Sequence, residues 1–300
     1  MMLLDSKLEI FKMAAILRNF TKTAEALHMT QPNVTQQLRQ LEKELGTELF
    51  LRNGKRLSLT RAGEILAEEC EHLFDAAAHL QRHVSNAASE RKHYALGGTL
   101  TAGAYIMPAL ISSFLKTHAS VRLSLTIGNT AEITEKLKKG HLDGALVEGP
   151  FDRDFFLYEM LMTDEMRFVI RADLAPCGDH VNLQEYLDTG RNLILREPAS
   201  GTRYYFDLFL EEQKIRIPDD GQILEIAGFE AIKELLNEGY GATVVSNLVV
   251  HNELISGKYK SLPFSAGTIR REMNFLYQEN ETRPFCEEFI RFARRKVVNF

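Results

Sequence analysis

A proline inside an otherwise helical stretch does most to limit what this chain can fold into. Residues 21–50 read TKTAEALHMTQPNVTQQLRQLEKELGTELF, with apolar side chains at helical spacing at Ala24, Leu27, Val34, Leu38, Leu41 and Leu45. Pro32 lacks a backbone N–H and clashes inside a helix, but it fits a first turn, where N–H groups have no intrahelical partner. The stretch therefore predicts two helices, one ending near His28 and one starting near Gln31 with Thr30 as its N-cap. A short helix, a tight turn and a second helix of about three turns make a helix-turn-helix.

The second helix has a face to spare. Val34, Leu38, Leu41 and Leu45 occupy its apolar side, leaving Thr30, Gln31, Asn33, Thr35, Gln36 and Arg39 on the other. Amides, hydroxyls and a guanidinium are the groups that read base edges and hold phosphates. Next come two short apolar runs flanking Asn53-Gly54, a strong hairpin signal, with Arg52, Lys55 and Arg56 at its tip to meet a phosphate backbone. A preceding helix over 5–18 would bury Leu8, Phe11, Ala14 or Ala15, and Leu17, with Phe20 closing this core from the loop. The result is a winged helix-turn-helix over residues 1–60.

The run from Asn19 to Pro32, then Val34-Thr35-Gln36-Gln37-Leu38, Leu41-Glu42, Leu45-Gly46, Leu49-Phe50 and Leu59-Thr60-Arg61-Ala62-Gly63, resembles a LysR-type transcriptional regulator. The resemblance is dense over the first sixty-odd residues. Asn33 stands where the family often has Ala, and Thr35 where it usually has Ser; Thr35 keeps the hydroxyl, while Asn33 bears on which bases are read.

Charge separates along the chain as this reading requires. The whole carries −5, yet residues 1–60 hold nine Lys/Arg against six Asp/Glu, a net of +3 that leaves −8 for the rest. The basic part is the part expected on DNA, and the acidic body should avoid it. No apolar run approaches the ~18 residues of a membrane span, and the charged amino terminus is unlike a signal peptide, so the expectation is a cytoplasmic, unprocessed protein. Cys70, Cys177 and Cys286 are far apart and form no CxxC pair, which argues against a zinc site and reads as small buried hydrophobes. No metal or cofactor is expected.

Residues 61–89 form a linker. Leu66, Cys70, Leu73, Ala77, Leu80, Val84 and Ala87 alternate spacings of four and three, the pattern of a coiled-coil seam, so this helix should pair with its twin and carry two DNA-reading heads. Cys70 would then lie in the seam. Beyond a polar hinge at 89–93, strands are expected at 94–98, 121–127 and 144–147, with helices at 105–116 and 130–139. A second series has strands at 166–170, 192–195, 222–225 and 242–246, and helices at 203–212 and 229–238. A strand at 273–278 and a helix at 284–297 close the chain. Such alternation argues α/β architecture with mostly parallel sheets. Two halves of this kind resemble the family's effector domain, which is similar to periplasmic binding proteins. The resemblance implies lobe one at about 90–163 plus 268–300 and lobe two at about 164–267, with crossovers near Thr163 and Gly267.

In open α/β sheets ligands bind beyond the carboxyl ends of strands. Gly97 to Gly103 and Arg196 to Arg203 are two such strand-to-helix turns, offering Thr99 and Thr101 from one and Ser200, Thr202 and Arg203 from the other. Both match effector-contact regions of the family, as do Asn129-Thr130 and Glu148-Gly149. A small anionic metabolite, a carboxylate, is expected between the halves; Glu148 there argues for a ligand of mixed charge. No GxSxG, HExxH, Walker A or GxGxxG occurs, so the expectation is a regulator and not an enzyme. The alternative is a DNA-binding head fused to a small-molecule enzyme domain. The resemblance further implies a homotetramer, a dimer of dimers, with double-stranded DNA and RNA polymerase as partners.

Overall fold

The computed structural model describes residues 5–53, 56–89, 91–217 and 223–297. They divide into two compact units, Met1–Glu90 with Lys139–His141, and Arg91–Lys138 with Leu142–Phe300.

The first unit opens with helix α1 (Ser6–Leu17), started by Asp5, whose carboxylate accepts from the Lys7 N–H, and ended by Arg18 in the left-handed region. Helix α2 (Phe20–Ala26) is capped by Asn19, which accepts from the Thr21 and Lys22 N–H groups. His28 takes a left-handed φ of 54° and turns the chain into α3 (Gln31–Leu45). Thr30 holds the N-cap position with extended backbone but makes no side-chain cap bond; Pro32 sits in the first turn, and Gly46 ends the helix at φ 69°. Strands β1 (Phe50–Asn53) and β2 (Arg56–Leu59) pair antiparallel as the wing. Gly54 and Lys55 at its tip, and the side chains of Arg52 and Arg56, lie outside the described residues. Helix α4 (Arg61–Ala88) follows, its start fixed by Thr60, whose hydroxyl donates to the Glu48 carbonyl at 2.7 Å and accepts from the Gly63 N–H at 2.9 Å.

One core joins these pieces, with Phe11, Val34, Leu38 and Leu49 nearly or wholly buried. Three expectations need correction. Phe20 is not a loop residue but the first of α2, where it packs edge-on against Phe50 at 5.3 Å. Leu45 is 48% exposed, because α3 runs past the head's core before Gly46 stops it. Cys70 packs inside this head at 2% exposure, so it belongs to the core and not to a seam, while Leu73, Leu80 and Val84 stay exposed along the rest of α4.

The second unit is a mixed α/β body. Its elements run β3 (Lys92–Thr99), α5 (Met107–Leu115), β4 (Val121–Gly128), α6 (Thr130–Lys138), β5 (Gly144–Glu148), β6 (Leu157–Arg171) and α7 (Leu183–Asp188), then β7 (Asn192–Leu195) and α8 (Gly201–Gln213). β8 (Ile223–Glu225), α9 (Phe229–Asn237), β9 (Gly241–Ser246), α10 (His251–Ile255), β10 (Tyr259–Leu262), β11 (Ile269–Tyr277) and α11 (Arg283–Val297) complete it. The strand order is β4-β3-β5-β11-β6-β9-β7-β8, with β10 added to β6.

Two separate, mostly parallel sheets are not what forms. β3 pairs parallel with β4 and β5, and β7 with β8 and β9, but β6 and β11 run antiparallel to each other and to their neighbours. These two strands pass from one half to the other and make a single nine-stranded sheet. β6 leaves β11 and joins β9 at Met166, so the crossing lies within continuous strands and places Arg271 directly opposite Asp164. The 15-residue β6 is longer than the expected 166–170, because its first half alternates half-buried and exposed positions and carries Glu159, Asp164 and Glu165. Helices cover both faces of each half, giving lobe one a core under α5 and α11 and another under α6, and lobe two one under α7 and α8 and another under α9.

The cysteines differ in fate. Cys286 is wholly buried, its thiol pKa pushed up by burial with Asp143 nearby, and Cys70 is raised by burial too, while Cys177 is exposed. Burial as small hydrophobes therefore holds for two of them. Native protein mixed with a thiol-reactive dye should label Cys177 alone at once and the other two only on unfolding; rapid labelling of Cys286 would contradict the packing described.

Candidate nucleic-acid interface and ligand cleft

The amphipathic character of α3 decides which side chains can reach a duplex. Val34, Leu38 and Leu41 are buried, and this orients Gln31, Asn33, Gln36 and Arg39 outward, all exposed along one side with Thr30 just before them. Thr35 is half-buried, and its hydroxyl donates to the Gln31 carbonyl at 3.0 Å, so it is partly engaged within the helix. Glu42, one turn further on, accepts from the Leu49 N–H at 2.8 Å and from the Phe50 N–H at 3.3 Å, which ties α3 to the start of the first wing strand. The polar face and the wing therefore stand on a common rigid support.

In the body, the ends of β3, β5, β9 and α8 converge on the strand crossing. The Gly98 and Gly103 pair lets the turn after β3 lie directly on the strand, since a Cβ on Gly103 would come within 2.9 Å of the Gly98 carbonyl oxygen. That turn is a π-helical segment, Ala102–Ile106, and it brings Thr101 inward beside Thr99. Thr99 and Thr101 are buried, as are Glu148, Thr130, Ser200 and Thr202. Ser200 accepts from the Thr202 N–H at 3.2 Å and so caps α8.

At the centre is a side chain that sequence reasoning did not single out. Arg271, with no exposed side-chain surface, bonds Asp164 through Nε at 2.8 Å and also lies 2.8 Å from it through Nη2. Its Nη1 donates to the Thr202 hydroxyl at 2.9 Å and its Nη2 to the Thr101 hydroxyl at 3.2 Å. Ser246 donates to the other Asp164 oxygen at 2.7 Å. The Thr99 hydroxyl donates to Glu148 Oε2, whereas Glu148 Oε1 stands 3.8 Å from Arg271 Nη1, beyond hydrogen-bond reach. One guanidinium thus links hydroxyls from both lobes amid two buried carboxylates. Burial this complete is tolerated for an ion only when its donors and acceptors are matched.

The sequence-derived residues separate accordingly. Thr99, Thr101, Glu148 and Thr202 meet around Arg271, and Ser200 holds the helix end that carries Thr202. Asn129 instead caps α6, accepting from the Glu132 N–H at 2.9 Å while the Glu132 carboxylate accepts from its own N–H at 3.2 Å. Arg203 is held by Asp207 at 2.8 Å, Glu225 at 2.7 Å and the Arg196 carbonyl at 3.2 Å, and none of its bonds reaches the cluster. Asp164 and Arg271 were missed because they lie 107 residues apart in the chain. Only the adjacency of Arg270-Arg271-Glu272 to an apolar run hinted at a charge within a strand.

Comparisons with known proteins agree with both parts. The bacterial regulatory helix-turn-helix protein family, lysR type, matches residues 6–64, and the LysR substrate binding domain matches residues 87–297. The transcriptional activator CmpR of Synechocystis sp. is 28% identical over 275 residues, covering 91% of this chain and 88% of that one. The regulator CysL of Bacillus subtilis is 28% identical over 264 residues, covering 87% and 86%. Among solved structures, full-length CbnR in complex with its target DNA shares the fold at a TM-score of 0.75 and 18% identity, covering 97% of this chain and 98% of that one. Among the described residues no helix is long and apolar enough to cross a membrane. A winged helix-turn-helix followed by a two-lobed α/β body, both matched in order, places this chain in the LysR family of DNA-binding transcriptional regulators.

Proposed function

We propose that α3 enters the major groove of an operator and reads it with Gln31, Asn33, Gln36 and Arg39, with Thr30 and Thr35 near the backbone. The wing cations Arg52, Lys55 and Arg56 would hold phosphates. The observation that carries this is the exposed amide and guanidinium face of α3, set opposite a buried aliphatic one. Pairing of α4 through Leu73, Ala77, Leu80 and Val84 would carry two heads onto two half-sites, and two such dimers would make the tetramer. RNA polymerase is the further partner, and the cytoplasm the expected compartment.

The cleft of the body is the proposed effector site, with Thr99, Thr101, Glu148 and Thr202 as contacts and Ser200, Asn129 and Arg203 as its supporting frame. Support comes from the convergence of these side chains at the strand ends, and from a neighbour of the same fold, a Synechocystis CcmR regulatory domain solved in complex with 2-PG. The ligand expected is a small carboxylate. Every relative named above is a transcriptional regulator, and turnover of the ligand is not expected. A ligand shifts the equilibrium between lobe arrangements only as far as it binds them unequally.

Footprinting tests the DNA half of this reading. Arg39→Ala should weaken binding to a selected operator about tenfold and relax preference at one base pair, the cost of one guanidinium–base contact. Lys55→Ala should weaken all sequences alike and lower the salt slope by about 1. An unchanged footprint and affinity in Arg39→Ala would remove that residue from the reading face.

A further inference from the structure

The donors and acceptors around Arg271 are not evenly matched, and the imbalance describes a ligand. Asp164 is fully partnered by Arg271 and Ser246. Glu148 is as deeply buried, with 4% of its side chain exposed, yet its Oε1 is 3.8 Å from the only guanidinium in the cluster. Among the described side chains of this cluster two carboxylates share one cation, and the second carboxylate is short of a donor. A buried carboxylate in that position is stabilised by any cation brought beside it.

The hydroxyls show the opposite shortage. Thr101 and Thr202, from opposite lobes, both accept from Arg271, and a hydroxyl that accepts still has its own O–H to give. Among the described residues neither gives that O–H to a protein acceptor. Two unengaged donors flank a guanidinium, which suits a carboxylate, and an under-partnered acceptor stands 3.8 Å from Nη1 of the same guanidinium, which suits an ammonium. A ligand with anionic groups alone would add negative charge to a cluster already carrying one carboxylate too many.

We propose that the cleft takes an amino carboxylate, its ammonium received by Glu148 and Thr99 and its carboxylate by Thr101, Thr202 and Arg271. The proposal rests on the cleft being the effector site and narrows the class of effector it admits. Entry requires the lobes to part, because Gly149 of one lobe and Gly201 of the other are in backbone contact, a Cβ on either falling 2.9 Å from the Cα of its counterpart.

Thermal unfolding of the full-length protein with matched pairs of ligands tests it. Each pair shares a carbon skeleton and differs only in amine against ketone: L-glutamate and 2-oxoglutarate, L-alanine and pyruvate, L-aspartate and oxaloacetate. At least one amino member should raise the melting temperature, by roughly 5 °C at about a hundredfold excess over Kd, while its keto partner does not. Glu148→Gln, which removes the unmatched charge and keeps the shape, should abolish or reverse that preference. Stabilisation of wild type by keto acids alone overturns the proposed class and needs no variant to fold. If Thr202→Val then abolishes the keto-acid shift, the cleft remains the effector site. A shift by an amino acid that survives both Thr202→Val and Glu148→Gln overturns the cleft reading itself. No shift with any pair overturns the proposed class.

Discussion

Arg271→Met is expected to lower the stability of the body by about 3–5 kcal/mol, a fall of roughly 10 °C in melting temperature for a unit of this size. Among the described residues the guanidinium is the cation that joins Asp164, Thr101 and Thr202, with Glu148 3.8 Å away. Removing it leaves two buried carboxylates with no cation beside them and only the Ser246 and Thr99 hydroxyls as side-chain partners. Removing one partner of a buried pair is costlier than removing both, since the remaining charge cannot reach water. The double variant Arg271→Met with Asp164→Leu should accordingly be more stable than Arg271→Met alone. Calorimetry on the three proteins checks this. A loss under about 1 kcal/mol in the single variant would mean that the cluster is hydrated and does not join the lobes.

The second large effect is steric. Gly201→Val is expected to cost about 3 kcal/mol, the upper range for forcing atoms into a packed interior. A Cβ at position 201 would overlap the Glu148 carbonyl oxygen and fall 2.9 Å from the Gly149 Cα, and both opponents are backbone, which cannot rotate aside. The lobes must then part at this seam, taking Thr202 away from Arg271. Denaturant titration should show a lower midpoint, and the effector response should be weakened or lost while DNA binding by the separate head persists. A variant as stable and as responsive as wild type would show that the seam is not closed in solution.

How much of this was readable in the sequence depended on the range of the interactions involved. The head was legible because its signals are local: Pro32 marks a helix start, Gly46 a helix end, and Val34, Leu38 and Leu41 sit at helical spacing on one buried face. Leu45 and Cys70 misled, since helical periodicity says which face a residue is on and not how far the neighbouring core extends along it. In the body the parallel strand-and-helix units announced themselves, and with them Thr99, Thr101 and Thr202 at strand-to-helix turns. The crossing strands showed only in part, at 166–170 and 273–278, because the half of β6 with one half-exposed face lacks a continuous apolar run. Arg271 and Asp164 were therefore invisible as a pair, though they face each other in register at the point where the halves meet. Asn129 and Arg203 carry the right chemistry at the right kind of position, but local partners, Glu132 for one and Asp207 and Glu225 for the other, already take up their bonds.

A regulator of this kind needs a head that binds duplex DNA and a body that modulates that binding. The most direct measurement is capture of genomic fragments by the purified full-length protein at low ionic strength, followed by salt titration of those retained. A small set of fragments should be held, with log K falling linearly against log salt as phosphate contacts release counterions, and with retention or footprint changed by a ligand that stabilises the body. Purified protein that retains no fragment at low salt, with or without such a ligand, would contradict it.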